Sequence, residues 1–579
     1  MTTLILTGRK LTFSLILSSF SLFGLAACGG GGGGGGESNR PLPDANPSSS
    51  TIVSDQSESS RFLARASFGG TVEEIDELSG RDAADWLDRE FDKEPTFYLD
   101  RTRQRRNSDG NIPFRTPTDL FWQAMIGAND QLRQRMVFAL SQILVVSQNN
   151  MFGEETALAA YMDILSRNAF GNYRDLLEDI TYSPIMANFL TYLRNQRGDP
   201  NSDRQPDENY AREILQLMTI GLVELNLDGT PVLLNGEPIE TYNNDDIVGL
   251  ARVFTGLAYA NGANNFFVTP NNTNPNRWGR LIIYPEQHSE LEKSFLGASI
   301  PAGTSGEDSI DMALDIIFNH PNVAPFVSRQ LIQRFTASSP SPEYVERVAI
   351  AFESGQFEAS NGLIFGTGER GDLRATLAAI LLDRAFYNDT AVNNDNFVKT
   401  REPVLRFVHW SRVFGIDPST TAEESNLSNT ASPTALGQHP FRSPSVFNFY
   451  RPGYVAPGTE TSADNLTAPE LQIINSTTLV GYINFMTEYV FDRTFSNQVE
   501  SFAPNYNRQI GIADDAELLV DDLNLLLTGN RLSTATRAEI VATINTMQIR
   551  EDRDTADRRR RVQVATLMIL ASPAYTAIN

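Results

Sequence analysis

Glu208-Asn209-Tyr210-Ala211-Arg212-Glu213-Ile214-Leu215-Gln216-Leu217-Met218-Thr219-Ile220-Gly221 decides how the rest of the chain is read. Wound as a helix, Tyr210, Ile214 and Leu217 form one apolar line, and Ala211, Leu215 and Met218 form the adjacent one. A stripe that wide buries most of a helix, so the segment belongs inside a helical body. Glu208 and Arg212 lie four apart on one side, as do Asn209 and Glu213. The polar set Glu208, Arg212, Glu213 and Gln216 is then partly withdrawn from water, where charges are tolerated when paired.

The same three- and four-residue spacing recurs outward from this stretch. It is read at 71–91, 120–146, 154–165 and 173–193 on one side. On the other it is read at 245–257, 309–318, 323–335, 342–352, 372–382, 403–414, 471–491, 516–527, 536–547 and 558–571. Thr536 with Glu539 has capping-box spacing, and Asn244 precedes Asp245 and Asp246 at another helix start. Strand signals are few. Residues 227–242, with Asp228-Gly229 and Asn235-Gly236, predict a small β-hairpin inserted between two helices. Polar stretches at 260–280, 419–438 and 452–469 predict long loops. No fixed-period repeat is present. The fold class is therefore mainly α: an irregular multi-helix domain with long loops and a small β-hairpin insertion.

The amino terminus carries an address. Arg9 and Lys10 precede a mostly apolar stretch at 11–23, and Leu25-Ala26-Ala27-Cys28 follows. The four residues resemble a bacterial lipobox, which makes 1–27 a lipoprotein signal peptide and Cys28 the lipidation site. Cys28 is the single cysteine of 579 residues, so there is no intramolecular disulfide, thiolate metal cage or cysteine nucleophile. Eight glycines at 29–36 open a Gly/Ser/Pro-rich segment to residue 60, read as a flexible tether with a reach of about 30 Å. Gly29 stands where an aspartate would signal inner-membrane retention, which favours the outer membrane, periplasmic or surface-exposed. The remainder, 61–579, is the helical body, with length for two or more lobes. No later apolar run approaches the ~20 residues needed to cross a bilayer. A formal charge of −24 repels phosphate backbones, so nucleic-acid binding is not expected.

Candidate chemistry sits in few places. Glu213 has a natural partner in Arg252, carried on the next predicted helix. Glu208, Arg212, Glu213 and Arg252 read either as a structural ion-pair network or as a site in which Glu208 or Glu213 acts as acid, base or metal ligand. Of four histidines (His288, His320, His409 and His439), none is paired at zinc-motif spacing, and His288 ranks first as a general base. Asp199, Asn201 and Asp203 begin like a calcium loop, but Arg204 replaces the turn glycine and Tyr210 the twelfth-position glutamate. A looser divalent-cation site there, or at Asp228, is the one cofactor left open. No G-x-S-x-G elbow, P-loop or dinucleotide fingerprint occurs.

Several blocks together resemble the bacterial domain-of-unknown-function 1800 family. They are Glu208-Asn209-Tyr210-Ala211-Arg212-Glu213, Leu217-Met218-Thr219-Ile220-Gly221 and Ala251-Arg252-Val253-Phe254-Thr255-Gly256. Arg61-Phe62-Leu63, Arg167-Asn168-Ala169-Phe170-Gly171, His320-Pro321-Asn322 and Ala571-Ser572-Pro573-Ala574-Tyr575 agree in order, and the likeness spans 61–575. Two departures stand out. Leu140-Ser141-Gln142-Ile143 occupies the place of a Trp-His-x-His run, and Ser289 follows His288 where the family has an aspartate. The resemblance implies an exported protein of uncharacterised activity, encoded beside a second family similar to sulfatases and phosphatases. Two functions follow as expectations: a lipid-anchored scaffold or accessory partner of such an exported protein, or a carboxylate- or metal-dependent extracytoplasmic hydrolase.

Overall fold

Glycine, proline and polar breaks divide the long periodic segments into shorter helices than their spacing alone would give. In the computed structural model, which describes residues 50–149, 151–262, 264–386, 398–417, 427–492 and 503–578, the 71–91 stretch becomes Val72–Leu78 and Ala83–Phe91. Thr71 and Glu74 form a capping box for the first, and Gly80, at φ 75°, makes the turn between them. Residues 120–146 likewise divide into Thr116–Gly127 and Gln131–Ser141. Pro184 opens a new helix, Pro184–Phe189, after Tyr173–Thr181.

The fold is mainly α, with strands confined to small antiparallel pairs. The predicted hairpin is present: Leu233–Leu234 pairs with Glu237–Pro238 across Asn235 and Gly236, whose φ values of 55° and 90° suit a tight two-residue turn. Bridges from Val223 to Glu240 and from Leu225 to Pro231 extend it. Two helix starts lie elsewhere than the spacing indicates. Asn243 caps Asn244–Ala251 in a box with Asp246, and Ser533 caps Thr534–Asn545, three residues before Thr536.

Gln131–Ser141 and Pro403–Val413 are buried along their entire length, and Leu373–Leu381 at every residue but Arg374. Val323–Phe335 lies beside Gln131–Ser141 and Leu373–Leu381, with most of its residues buried. One large apolar core cluster runs from Val53 to Tyr575, with a small separate one at Ala258, Phe266 and Tyr284. The body begins before residue 61, where composition alone ends the tether. The amides of Val53 and Ala83 donate to the carbonyls of Arg81 and Thr51 at 2.9 Å, and Val53 is buried, so 51–53 is part of the body.

The two ends of the body meet. Helix Gln56–Ala66 lies against Ala516–Thr528, where Arg61 donates to the Gly529 carbonyl at 2.8 Å. Strand Lys399–Thr400 pairs with Ala577–Ile578, and Arg401 Nε donates to the Tyr575 carbonyl at 2.9 Å. Behind that strand, Lys399 and Glu470 form an ion pair in which both side chains are 1% exposed. Elsewhere Asn244–Ala251 crosses strand Lys293–Phe295 so closely that a Cβ on Gly249 would lie 1.8 Å from the Ser294 carbonyl oxygen. Among the described residues no helix is long and apolar enough to cross a membrane.

Candidate functional site

The stretch around residue 213 begins as a helix, Asn209–Glu213, but continues as a wider π-helix over Ile214–Thr219. Of the apolar lines expected on a regular helix, Tyr210, Ala211, Ile214, Leu215 and Met218 are buried, while Leu217 is half-buried. π-turns of this kind recur at functional sites.

The structure separates most of the polar residues that spacing groups together. Glu208 and Arg212 pair at 3.3 Å with side chains about 40% exposed, where such a pair contributes little. Arg252 does not reach Glu213. It closes Asn244–Ala251 and donates from Nη1 to the Glu292 carbonyl at 2.8 Å, tying that helix to the residue just before strand Lys293–Phe295. Glu213 is buried, and its Oε2 has no hydrogen-bond partner among the described residues. Burial raises its pKa above the ordinary carboxyl value, against the pull of Arg212. The Tyr242 hydroxyl, also buried and unpartnered among the described residues, is pushed up to about 12 by burial, with the Glu213 charge adding to the shift.

His288 is buried beside Thr255. Its Nδ1 lies 2.9 Å from the Thr255 carbonyl, so Nδ1 carries the proton and donates. Its Nε2 has no partner among the described residues, and burial lowers its pKa, keeping the ring neutral. Lys293, near enough for its charge to lower His288 further, is fully buried with its ammonium likewise unpartnered. The Ser289 amide donates to the Thr255 hydroxyl at 2.9 Å. The other histidines cap or brace: His320 Nδ1 accepts the Asn322 amide, His409 contacts Arg401, and the ring of His439, pushed down to about 3 by burial, donates to the Pro440 carbonyl.

Asp199, Asn201 and Asp203 form a surface turn in which Asp199 Oδ1 accepts the Asn201 amide at 2.9 Å. Asp228 is occupied by the amide and hydroxyl of Thr230. Among the described residues no three His, Cys, Asp or Glu side chains are grouped to hold a metal ion. Cys28 lies outside the described residues.

A cavity of about 240 Å³ lies between the end of Gln131–Ser141, the π-helix, Val323–Phe335 and residues 446–453. Gln216 and Leu217 bring the π-helix to its wall. Gln142 and Ile143, from the segment that departs from the Trp-His-x-His pattern, form another side. Arg334 and Tyr450 also line it. Arg334 donates to the carbonyls of Gln330 at 2.8 Å and Gln142 at 3.2 Å, leaving Nε unpartnered among the described residues. Behind them Glu402 Oε2 accepts from Gln142 Nε2 at 2.7 Å, from Tyr450 Oη at 2.8 Å and from Gln438. Arg135 packs over Phe335 and donates to the Arg334 carbonyl. Burial lowers its pKa to about 10, partly offset by Glu402. Periodicity misses Arg135 and Arg334 because both sit in helices whose apolar spacing dominates. The altered 140–143 segment and the 208–221 stretch are the sequence signals that point here.

A family model described as a protein of unknown function, DUF1800, matches residues 61–577. No curated protein and no solved structure matches the chain.

Proposed function

Because the chain belongs to the DUF1800 family, whose shared segment covers nearly the whole body, we propose that it is a lipid-anchored extracytoplasmic scaffold or accessory protein. Its partner is an exported protein of the sulfatase or phosphatase kind, and its place is the outer membrane, facing the periplasm or the cell surface. The observation that carries this reading is how its chemistry-bearing side chains are used. Arg252 ties its helix to the Glu292 carbonyl, and His288 ties its loop to the Thr255 carbonyl. Such contacts hold the body in shape. The leader at 1–27, Cys28 and the glycine run after it supply the anchor and the reach.

Cys28→Ala abolishes incorporation of labelled fatty acid and moves the protein from the membrane to the soluble fraction. Unchanged partitioning refutes the anchor. Crosslinking of the tethered protein in its own envelope recovers one exported hydrolase-like companion. Recovery of none refutes the accessory role.

One observation favours hydrolysis as a second reading: Glu213 and Tyr242 each leave a buried polar atom unpartnered among the described residues, and the Glu213 charge acts on the Tyr242 hydroxyl. Glu213→Gln separates the two. A carboxyl whose folded pKa is raised contributes its stability below the unfolded value of about 4.5 and loses it as pH rises through the folded value. In a structural role, Glu213→Gln therefore leaves stability near pH 4 almost unchanged and raises the urea midpoint over wild type near pH 7. Turnover of aryl sulfate or phosphate esters by the wild type, lost in the variant, would instead establish the second reading.

A further inference from the structure

The walls and floor of the 240 Å³ cavity differ in character. Leu217, Phe326, Val446 and Phe447 make its sides apolar, and Leu222, more than half exposed, stands at the rim. Arg334 lies at the floor, 3% exposed. Its guanidinium donates to the Gln330 and Gln142 carbonyls, so donors remain for a third partner.

The charges beneath the cavity do not balance. Arg135 and Arg334 are both buried, and among the described residues neither forms an ion pair within 4 Å. Glu402 is the nearby carboxylate, and its Oε2 is shared among Gln142, Gln438 and Tyr450. Glu470 is matched by Lys399. One positive charge is thus left in excess under an apolar-walled opening, in a chain whose formal charge is −24. Buried charge is tolerated where a counter-charge reaches it, and a carboxylate presents two coplanar oxygens to a guanidinium.

We propose that this cavity binds a small organic monocarboxylate, its carboxylate on Arg334 and its hydrocarbon body between Leu217, Phe326 and Val446. The apolar walls select against inorganic anions, and the arginine selects against neutral molecules of the same shape. This goes beyond the accessory role and does not depend on it.

Calorimetric titration of the full chain with hexanoate, hexanamide and inorganic phosphate tests the site. Hexanoate is expected to bind saturably with Kd on the order of 10 µM to 1 mM. Hexanamide and phosphate are each expected to bind at least about tenfold more weakly. Arg334→Gln removes the preference for hexanoate over hexanamide. Because Arg334 also holds two carbonyls, Gly453→Leu serves as the second variant: Gly453 lines the cavity, and a Cβ there meets nothing within 4 Å. The leucine fills the opening and weakens hexanoate binding at least about tenfold while the melting temperature is kept. Equal binding of hexanamide or of phosphate overturns the proposal, as does the absence of any saturable hexanoate binding. Hexanoate affinity that survives Gly453→Leu places the ligand elsewhere and overturns it too.

Discussion

Lys399→Met lowers the stability of the body by about 3–5 kcal/mol, read as a shift of the urea midpoint at constant slope. Lys399 and Glu470 are each 1% exposed and pair with each other. Ser338 donates to the second Glu470 oxygen at 2.8 Å, which leaves that carboxylate one neutral donor once the ammonium is gone. The cost is the stranded anion rather than the lost attraction, since two charges taken from water together roughly offset their desolvation. The double variant Lys399→Met/Glu470→Leu therefore recovers most of the loss. A single variant that loses less than about 1 kcal/mol, or a double variant as unstable as the single, would show that Glu470 finds another partner. The same strand pairs with Ala577–Ile578, so protection of those amides from hydrogen exchange falls with the single variant.

Gly249→Ala costs about 3 kcal/mol, although the same exchange in an open helix gains up to about 1 kcal/mol from propensity. The Cβ would stand 1.8 Å from the Ser294 carbonyl oxygen. Backbone cannot swing aside as a flexible side chain can, so Asn244–Ala251 must lift from strand Lys293–Phe295. That movement also breaks the Arg252 bond to the Glu292 carbonyl. Gly511→Ala is the control. It lies in helix Asn507–Ile512 with nothing within 4 Å of the new carbon, and it is expected to stabilise slightly. Thermal midpoints that move the same way in both variants would mean propensity, not contact, governs residue 249.

Helical spacing carries the fold far because burial of one face is what most of these helices do. Thus 342–352 and 372–382 are found within one or two residues as Pro342–Ser354 and Leu373–Leu381. The π-helix is not legible, since Ile214, Leu215 and Met218 point inward whether the turn holds the usual number of residues or one more. The body's early start is hidden because 51–53 is held by backbone pairing to 80–83, which side-chain composition does not report. Charge and neighbouring helices match Arg252 to Glu213, but its reach is set by its place at the end of Asn244–Ala251, where a carbonyl is nearer. The cavity depends on four segments far apart in the chain; spacing names 208–221, 323–335 and the loop at 452–469 one by one, but not that they meet.

The meeting of the two ends has a mechanical side. Tension entering at residue 50 first loads the short backbone pairing of 51–53 with 80–83 and then the seat of Gln56–Ala66 on Ala516–Thr528. Ser60 donates to the Leu526 carbonyl, so strain at the front of the body is felt 466 positions later. A pull strong enough to detach that first helix would uncover the face of Ala516–Thr528 on which it sits, so load applied at the front of the body is shared with a helix near its far end.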